Sequence, residues 1–296
     1  MTRKQIGKLL DRYRITNGRR FRLRDHDPGD TGGKLVDHDE GTALLAAGVH
    51  RLIAIQERLY ASADWSLLCV FQAMDAAGKD GTIKHVMSGV NPQGVQVSSF
   101  KAPGPEELTH DFLWRITAKL PQRGHIGIFN RSHYEEVLVT RVNPDILTTQ
   151  HIPPSLITKH IWRERLRDIA AFERHLGRQG TIVRKFFLHL SKEEQARRFR
   201  ARLDEPQKNW KFSAADLTQR AHWDAYMAAY EDAIAGTATP DAPWFVVPAD
   251  HKWFTHLIVV EAMIEALERH HLSPPVQSPE RLAQLAEARR QLDAEG

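Results

Sequence analysis

Short apolar runs alternate with longer stretches of helical character along most of the chain. Five runs have the length of buried strands: SLLCVFQ (66–72), VQVSSF (95–100), GHIGIFN (124–130), TIVRKFFLHL (181–190) and WFVVPAD (244–250). Helical periodicity or helix-forming composition marks the segments 42–61, 78–88, 106–119, 155–177, 191–203, 253–270 and 278–294. Strands separated by helices predict a mostly parallel five-stranded sheet covered on both faces, which is a three-layer α/β/α fold.

The first forty residues differ in character from the remainder. They are polar, basic at first and then acidic, and contain Asp-His-Asp triplets at 25–27 and 37–39. The triplets could suggest a metal site, but neither completes a ligand pattern, which favours solvated polar chain. We therefore expect a polar N-terminal arm at 1–40 and a single domain at 41–296, because no linker or repeat divides the latter.

The composition excludes several classes of protein. Apolar residues make up 42% of the chain, and 41 Lys and Arg against 37 Asp and Glu leave a mild net charge of +4. The single cysteine, Cys69, rules out an internal disulfide and a zinc cluster of cysteines. Neither a membrane-spanning run nor a secretory signal is recognisable, nor is a nucleic-acid-binding module. We expect a soluble cytoplasmic protein without membrane or nucleic-acid partners.

The first candidate site follows the first predicted strand, in the stretch AMDAAGKDGTIK (73–84). It matches the phosphate-binding frame G-x-x-x-x-G-K-[ST], except that Ala73 replaces the first glycine and Asp80 the hydroxyl residue. Gly78 allows backbone N–H groups to point at an anion, and Lys79 and the helix N-terminus add positive charge. The predicted phosphate contacts are Ala76, Ala77, Gly78, Lys79, Asp80, Gly81 and Thr82.

An aspartate, Asp75, lies inside this anion-binding loop. Its carboxylate would repel phosphates, unless it holds a Mg²⁺ ion that bridges them. It could also accept the proton of an attacking hydroxyl, or be an exposed turn residue that bonds its own backbone. The residues alone leave these three roles open.

A second cluster, NRSHYEE (130–136), follows the third predicted strand. Ligands of open α/β sheets bind at the carboxyl ends of strands, so this cluster is expected beside the loop. Asn130 stands where many phosphate-loop enzymes carry a Mg²⁺-holding Asp, so the metal would depend on Asp75 and on Glu135 or Glu136. Arg131 can clamp a phosphoryl oxygen, or be an ordinary arginine at a helix start.

A basic segment near the end of the domain is a candidate lid. Residues 197–211 carry six Lys and Arg, and Arg198 and Arg202 lie on one helix face because they are four positions apart. Pro206 ends the helix. A helix-loop-helix at about 197–220 fits a lid over an anionic substrate, although a solvated charged helix would have the same composition.

Taken in order, these motifs resemble the family-2 polyphosphate kinases, in the branch that phosphorylates AMP and ADP. The resemblance extends from about residue 20 to 270 and depends on AMDAAGKDGTIKHVM, GVNPQGVQVSSFKAP, GIFNRSHYEEVLVTRV, KFFLHLSKEEQARRFRARLDEPQKNWKFS and APWFVVPADHKWF. It implies a P-loop kinase fold like that of thymidylate kinase, with a helical lid. It also implies inorganic polyphosphate as donor, reversible formation of ADP and ATP, Mg²⁺ or Mn²⁺, and a homo-oligomer, dimer or tetramer.

The resemblance also implies roles for individual residues. The catalytic group is Asp75, Lys79 and Arg131. Beyond the loop, the polyphosphate contacts are Lys84, Arg131, Arg198, Arg202 and Lys208. The nucleotide contacts are Asn130, Glu135, Glu136 and Arg141, and the metal contacts are Asp75, Asn130 and Glu136. Two other functions remain open: an ATP-dependent nucleotide kinase of the same fold, and a polyphosphate-binding protein without catalysis.

Overall fold

A six-stranded sheet forms the centre of the computed structural model, which describes residues 1–33 and 35–295. The strands are β1 (Arg14–Ile15), β2 (Ser66–Gln72), β3 (Val95–Ser99), β4 (Ile126–Asn130), β5 (Thr181–His189) and β6 (Trp244–Pro248). Their order is β1-β6-β5-β2-β4-β3, with β2 to β6 parallel and β1 antiparallel to β6. The five predicted strands are confirmed. The sixth, at the edge, was missed because two residues cannot show a periodic pattern.

Helices connect and cover these strands. Within the described residues the α-helices are α1 (Arg3–Asp11), α2 (His38–Ser62), α3 (Lys79–Val86), α4 (Pro105–Leu108), α5 (Trp114–Thr117), α6 (Val139–Val142), α7 (Ile161–Arg178), α8 (Lys192–Asp204), α9 (Ala214–Ala221), α10 (Trp223–Thr237), α11 (Lys252–Glu268) and α12 (Pro279–Glu295). Short 3₁₀ turns occupy Leu23–Asp25, Pro92–Gly94, His133–Val137, Pro144–Thr149, Pro154–Leu156 and Pro206–Lys211. No helix in the described ranges combines the length and apolar character needed to cross a membrane.

Both faces of the sheet are buried, as β2 illustrates. All seven β2 residues are buried. Leu67, Cys69 and Phe71 pack into the core that includes α2 and α11, whereas Leu68 and Val70 pack into the core that includes α7 and α10. This alternation explains why β2 reads as a continuous apolar run, and it confirms the three-layer architecture.

The N-terminal segment is not the solvated arm that its polarity predicted. Leu9 and Leu10 of α1 are at most 1% exposed and belong to the core, and Tyr13 is buried beside them. The Tyr13 hydroxyl donates to Asp30 at 2.8 Å. A nine-residue helix with one apolar edge contributes little to the average polarity of forty residues, so the composition concealed its burial. Neither Asp-His-Asp triplet belongs to a cluster suited to a metal ion within the described residues.

One predicted helix is interrupted in the structure, and another begins later than predicted. The segment 106–119 contains only α4 and α5, because the Asp111 carboxylate accepts the Leu113 N–H at 2.9 Å and forms a turn between them. The predicted helix at 155–177 begins only at Ile161, after a 3₁₀ turn that starts at Pro154. These irregular connections line a cavity at the carboxyl ends of the strands.

Candidate active site

The phosphate loop connects β2 to α3 in the predicted strand–loop–helix arrangement. Ala76 and Gly78 have positive φ values of 64° and 100°, which turn the chain sharply before Lys79 opens α3. The Lys79 ammonium donates to the Ala73 carbonyl at 2.9 Å. Burial, followed by the charge of Arg131, lowers the pKa of Lys79 despite the opposing effect of Asp75 and other nearby carboxylates. An anion in the loop would favour the charged form of this lysine.

Arg131 joins the loop to the end of β4. Its guanidinium donates to Asp75 Oδ1 and to Glu135 Oε2, each at 2.9 Å. Its backbone has φ 62°, and its N–H bonds the Phe71 carbonyl at 3.0 Å. Glu135, and then Asp75, raise the pKa of Arg131 against the effect of burial, so the guanidinium stays charged. Asp75 is therefore held by an ion pair and does not act as a self-bonded turn residue.

Asn130 and Asp80 meet at the base of the site. The Asn130 amide nitrogen donates to Asp80 Oδ1 at 2.6 Å. This bond leaves the amide carbonyl oxygen, the acceptor of the Asn130 side chain, as the atom that can bind a cation. Asp80 lines one cavity together with Asp75 and the phosphate loop.

The predicted lid arginines occupy two different environments. Arg198 of α8 donates to the carbonyls of Ala76 and Ala77 at 3.0 Å and to that of Ala249 at 2.6 Å, and its Nε bonds Glu194 at 2.7 Å. It therefore braces the back of the phosphate loop. Arg202, one turn later, donates to the Lys211 carbonyl at 3.0 Å and lines the cavity.

The cavity has a volume of ≈630 Å³ and is strongly basic. Its walls combine three aspartates, Asp75, Asp80 and Asp216, with eight cations: Lys79, Lys101, Arg131, Arg198, Arg202, Lys208, Lys211 and Lys252. Such an excess of cations suits a ligand that carries several phosphates. Trp210, on the turn between α8 and α9, also lines the cavity and is 79% exposed.

Most predicted phosphate contacts share this cavity, including all of 76–82, Asn130, Arg131, Arg198, Arg202 and Lys208. Four predicted site residues do not line this cavity, although one of them, Glu135, pairs with Arg131 at 2.9 Å. Lys84 is exposed on α3, and Arg141 pairs with Asp232 at 2.6 Å. Glu136 is buried and accepts from Arg165 at 3.0 Å and Gln150 at 2.6 Å. Its carboxylate therefore lies outside the cavity that Asp75 and Asn130 line, because a turn of 3₁₀ helix directs it away from the neighbouring Glu135.

Sequence reasoning missed several residues of the cavity wall. Lys101 follows β3, and Lys252 and His256 lie on α11 after β6, so the rule that ligands bind at carboxyl ends of strands could have found them. Burial, followed by the charge of His85, lowers the pKa of His256 to about 4, so this ring is neutral at pH 7. The sequence around Asp216 contains no motif that would have marked it as a residue of the cavity wall. Burial and the charge of Asp75 raise its pKa.

Comparisons with known proteins identify the family of this chain. A family model described as polyphosphate kinase 2 matches residues 35–274. An ADP-polyphosphate phosphotransferase of Rhodopseudomonas palustris is 54% identical over 250 residues, which cover 84% of this chain and 86% of that protein. An AMP/ADP-polyphosphate phosphotransferase of Meiothermus ruber is 45% identical over 259 residues, covering 88% and 93%. The crystal structure of polyphosphate kinase 2 from Arthrobacter aurescens TC1 superposes with a TM-score of 0.84 at 40% identity and covers 95% of each chain.

Proposed function

The chain belongs to the polyphosphate kinase 2 family, and from this premise we propose that it transfers the terminal phosphoryl group of inorganic polyphosphate to AMP or ADP. The products are ADP and ATP, and the reaction is reversible. The observation that carries the proposal is the Asp75–Arg131 pair at the mouth of a phosphate loop, inside a cavity with eight cationic side chains.

Polyphosphate matches the charge of this cavity. The donor is a long polyanion without base or sugar, so phosphate contacts must provide all of its binding energy. Lys208, Lys211 and Lys252 line the cavity together with the loop, which gives several successive phosphates a cationic partner. Lys84, exposed on α3, stays a predicted contact for the outer part of the chain.

Phosphoryl transfer by kinases generally requires a divalent cation, and we infer Mg²⁺ here, with Mn²⁺ as a substitute. Mg²⁺ is usually held by one or two carboxylates together with substrate phosphates and water. Asp75 and Asp80, with the carbonyl oxygen of Asn130, fit that requirement, whereas Glu136 does not because Arg165 and Gln150 occupy it. When bound, the ion would neutralise charge on the oxygens that link donor and acceptor.

The reaction in this cavity is an in-line displacement at phosphorus. A terminal phosphate oxygen of AMP or ADP attacks the end phosphorus of polyphosphate, the bridging P–O bond breaks, and the donor leaves one phosphate shorter. Lys79, Arg131 and Arg202 stabilise negative charge on the transferred group and on the departing chain. Catalysis by this mechanism depends on the positioning of the two substrates and on electrostatics, because no side chain forms a covalent bond to the transferred phosphoryl group.

Chromatography of nucleotides tests the proposal directly. Purified protein incubated with Mg²⁺, long-chain polyphosphate and AMP is expected to form ADP and then ATP. If AMP is unchanged, ADP replaces it as acceptor, and conversion of ADP alone would restrict the reaction to diphosphates. Activity with ATP as donor and none with polyphosphate would identify an ATP-dependent nucleotide kinase. Polyphosphate binding without product from either donor would identify a binding protein.

Salt is expected to weaken donor binding steeply, because bound phosphates release counterions. The KM for polyphosphate should rise with added KCl, and Lys208→Ala should reduce the slope of log KM against log salt by roughly 0.7–0.9, the value for one lost phosphate contact. Lys8→Ala, on the exposed face of α1, is the matched control and should keep the wild-type slope. A KM that is independent of salt would contradict binding of polyphosphate by the cationic side chains of the cavity.

We also infer a homo-oligomer, dimer or tetramer, as predicted. The support is α12, none of whose residues is buried. It exposes Leu282, Leu285 and Leu292 by 55%, 46% and 67%. Exposed leucines at helical spacing are typical of a surface that another chain covers.

A further inference from the structure

Arg131 has a backbone conformation that its residue type does not favour. Its φ of 62° lies in the left-handed region, which is uncommon for a residue that carries a side chain. Such a conformation persists only where the surrounding structure fixes it, and it is often found at functional sites. The contacts that hold this backbone therefore bear on how the guanidinium is placed.

The side-chain contacts of Arg131 do not fix its position alone. Asp75 and Glu135 accept from its guanidinium at 2.9 Å, but the Arg131 side chain is 37% exposed at the mouth of the loop. A phosphoryl group that enters the site competes with these carboxylates for the same N–H groups. During the reaction, the placement of the guanidinium consequently depends on the Arg131 backbone.

A buried hydrogen bond joins the residue after Arg131 to the residue before the phosphate loop. Gln72 is the last residue of β2, and its Nε2 donates to the Ser132 hydroxyl oxygen at 3.0 Å. Gln72 and Ser132 are both completely buried. The N–H of Arg131 itself bonds the carbonyl of Phe71, the neighbour of Gln72. Two consecutive residues of β2 thus hold the turn that carries Arg131.

The far end of this turn is anchored in the core. The Tyr134 N–H donates to the Ser132 hydroxyl oxygen at 3.1 Å. The buried Tyr134 hydroxyl lies 2.7 Å from Glu173 of α7 and 2.8 Å from Thr237 of α10. Because Ser132 is bound both to Gln72 and to Tyr134, the turn cannot move relative to β2 without breaking a buried hydrogen bond.

Stability does not explain the presence of Gln72. Its Oε1 is buried, and no described residue donates a hydrogen bond to it. A buried acceptor without a partner destabilises a fold, so an apolar side chain, like most others in β2, would be the more stable choice here. A residue that lowers stability is expected where function requires it. The contact through which Gln72 can serve function is its bond to Ser132.

We propose that Gln72 and Ser132 are positioning residues, whose buried hydrogen bond holds the Arg131 backbone in its left-handed conformation and so aims the guanidinium at the transferred phosphoryl group. Neither residue lines the cavity of the phosphate loop, so neither contacts a substrate there. Their effect reaches the reaction through Arg131. The inference rests on the proposed function, since it concerns the placement of a residue in that reaction.

Gln72→Met tests the assignment, because Met has a similar length and an adaptable shape but cannot donate to Ser132. The bond between Ser132 and Tyr134 stays. We expect kcat to fall about tenfold, because a small misplacement of a catalytic group is enough for such a loss. The KM values for polyphosphate and AMP should stay within about threefold of wild type. The thermal midpoint should stay level or rise, since the unpartnered buried oxygen is removed. A purely structural residue would not combine a lower kcat with an undiminished midpoint.

Ser132→Ala is the second variant, because it removes the acceptor of the same bond. Its kcat should fall by a similar factor, and its thermal midpoint should also fall because the Tyr134 N–H loses its partner. The matched control is Ser66→Ala at the opposite end of β2. Ser66 is equally buried and donates to the Thr181 hydroxyl at 3.0 Å, so this variant should lower the midpoint and keep the wild-type kcat.

A double-mutant cycle identifies the residue through which the effect passes. In an Arg131→Ala background, Gln72→Met should lower the remaining kcat by less than about twofold, because the residue that it positions is gone. An equal loss of kcat in both backgrounds would overturn the proposal. Wild-type kcat in both Gln72→Met and Ser132→Ala would overturn it as well, and would leave the phosphotransfer itself intact.

The NMR resonance of the Arg131 Nε–H group gives a readout that does not need turnover. It is assigned by its absence from the spectrum of Arg131→Ala. It should move by more than its linewidth in Gln72→Met and in Ser132→Ala, and should not move in Ser66→Ala. An unmoved resonance in both test variants would overturn the proposal. A wild type without phosphotransfer would refute the proposed function, and the resonance would still decide whether the buried bond positions Arg131.

Discussion

Asp75→Asn is expected to lower kcat by about 10²–10³-fold while leaving the fold unchanged. Asp75 is the loop carboxylate, and its Oδ1 lies 2.9 Å from the Arg131 guanidinium. The amide keeps the size and one acceptor oxygen but removes the charge that would attract a divalent ion and orient Arg131. Because Glu135 still holds Arg131, the geometry of β4 and its neighbours should persist.

The measurement separates the possible roles of Asp75. Initial rates should be recorded against Mg²⁺ concentration, and the half-saturating Mg²⁺ concentration should rise in Asp75→Asn if the carboxylate holds the ion. A role as general base is weaker on chemical grounds, since the attacking terminal phosphate, with a second pKa near 6, is already mostly ionised at pH 7. The matched control is Asp11→Asn, an exposed partner of Arg14 far from the site. Near-normal turnover in Asp75→Asn would remove Asp75 from the metal site.

Arg131→Ala is expected to have an effect of similar or greater size, a loss of about 10³-fold or more in kcat. The guanidinium connects two carboxylates, Asp75 and Glu135, and it is the cation that lies between the loop and β4. Its removal takes away a donor to the transferred phosphoryl group, and it also leaves the two carboxylates without a common partner. Arg131→Lys keeps the charge but cannot make two parallel bonds, so its rate should recover only in part.

The thermal midpoint distinguishes chemistry from folding in these variants. Arg131→Ala should lower it modestly because one charge-assisted network is lost. The kinetic loss should remain at temperatures well below that midpoint. Arg269→Ala, which removes an exposed partner of Glu265, is the control for the loss of an ordinary surface arginine and should keep full activity. Equal kcat values for wild type and Arg131→Lys would show that charge alone, without the forked geometry, supports transfer.

The phosphate loop was the most predictable part of the site. Its strand, glycine, lysine and helix are consecutive in the chain, so local sequence carries all of the information that forms it. The five parallel strands and the three layers were predictable for a related reason, because buried parallel strands produce apolar runs that can be recognised one at a time. Their order in the sheet was not predicted. The edge strand Arg14–Ile15 and the burial of α1 produce no comparable run, and they were missed.

The contacts between distant segments were not predictable in this way. Arg198 is predicted to bind phosphate and lines the cavity, but its guanidinium also donates to the carbonyls of Ala76, Ala77 and Ala249, which lie more than fifty positions away. Arginine can serve phosphate or backbone equally well, so its residue type does not decide between them. Only the packing of α8 against the loop decides which partners Arg198 has.

Glu135 and Glu136 illustrate the same limit over a single peptide bond. Sequence alone determined that two carboxylates follow β4, at the edge of the sheet where ligands bind. Tertiary structure decided that Glu135 holds Arg131 at 2.9 Å, whereas Glu136 is buried against Arg165. The reason is physical: local patterns report burial and secondary structure, but the partner of a charged side chain depends on which remote segment the fold brings within hydrogen-bond distance.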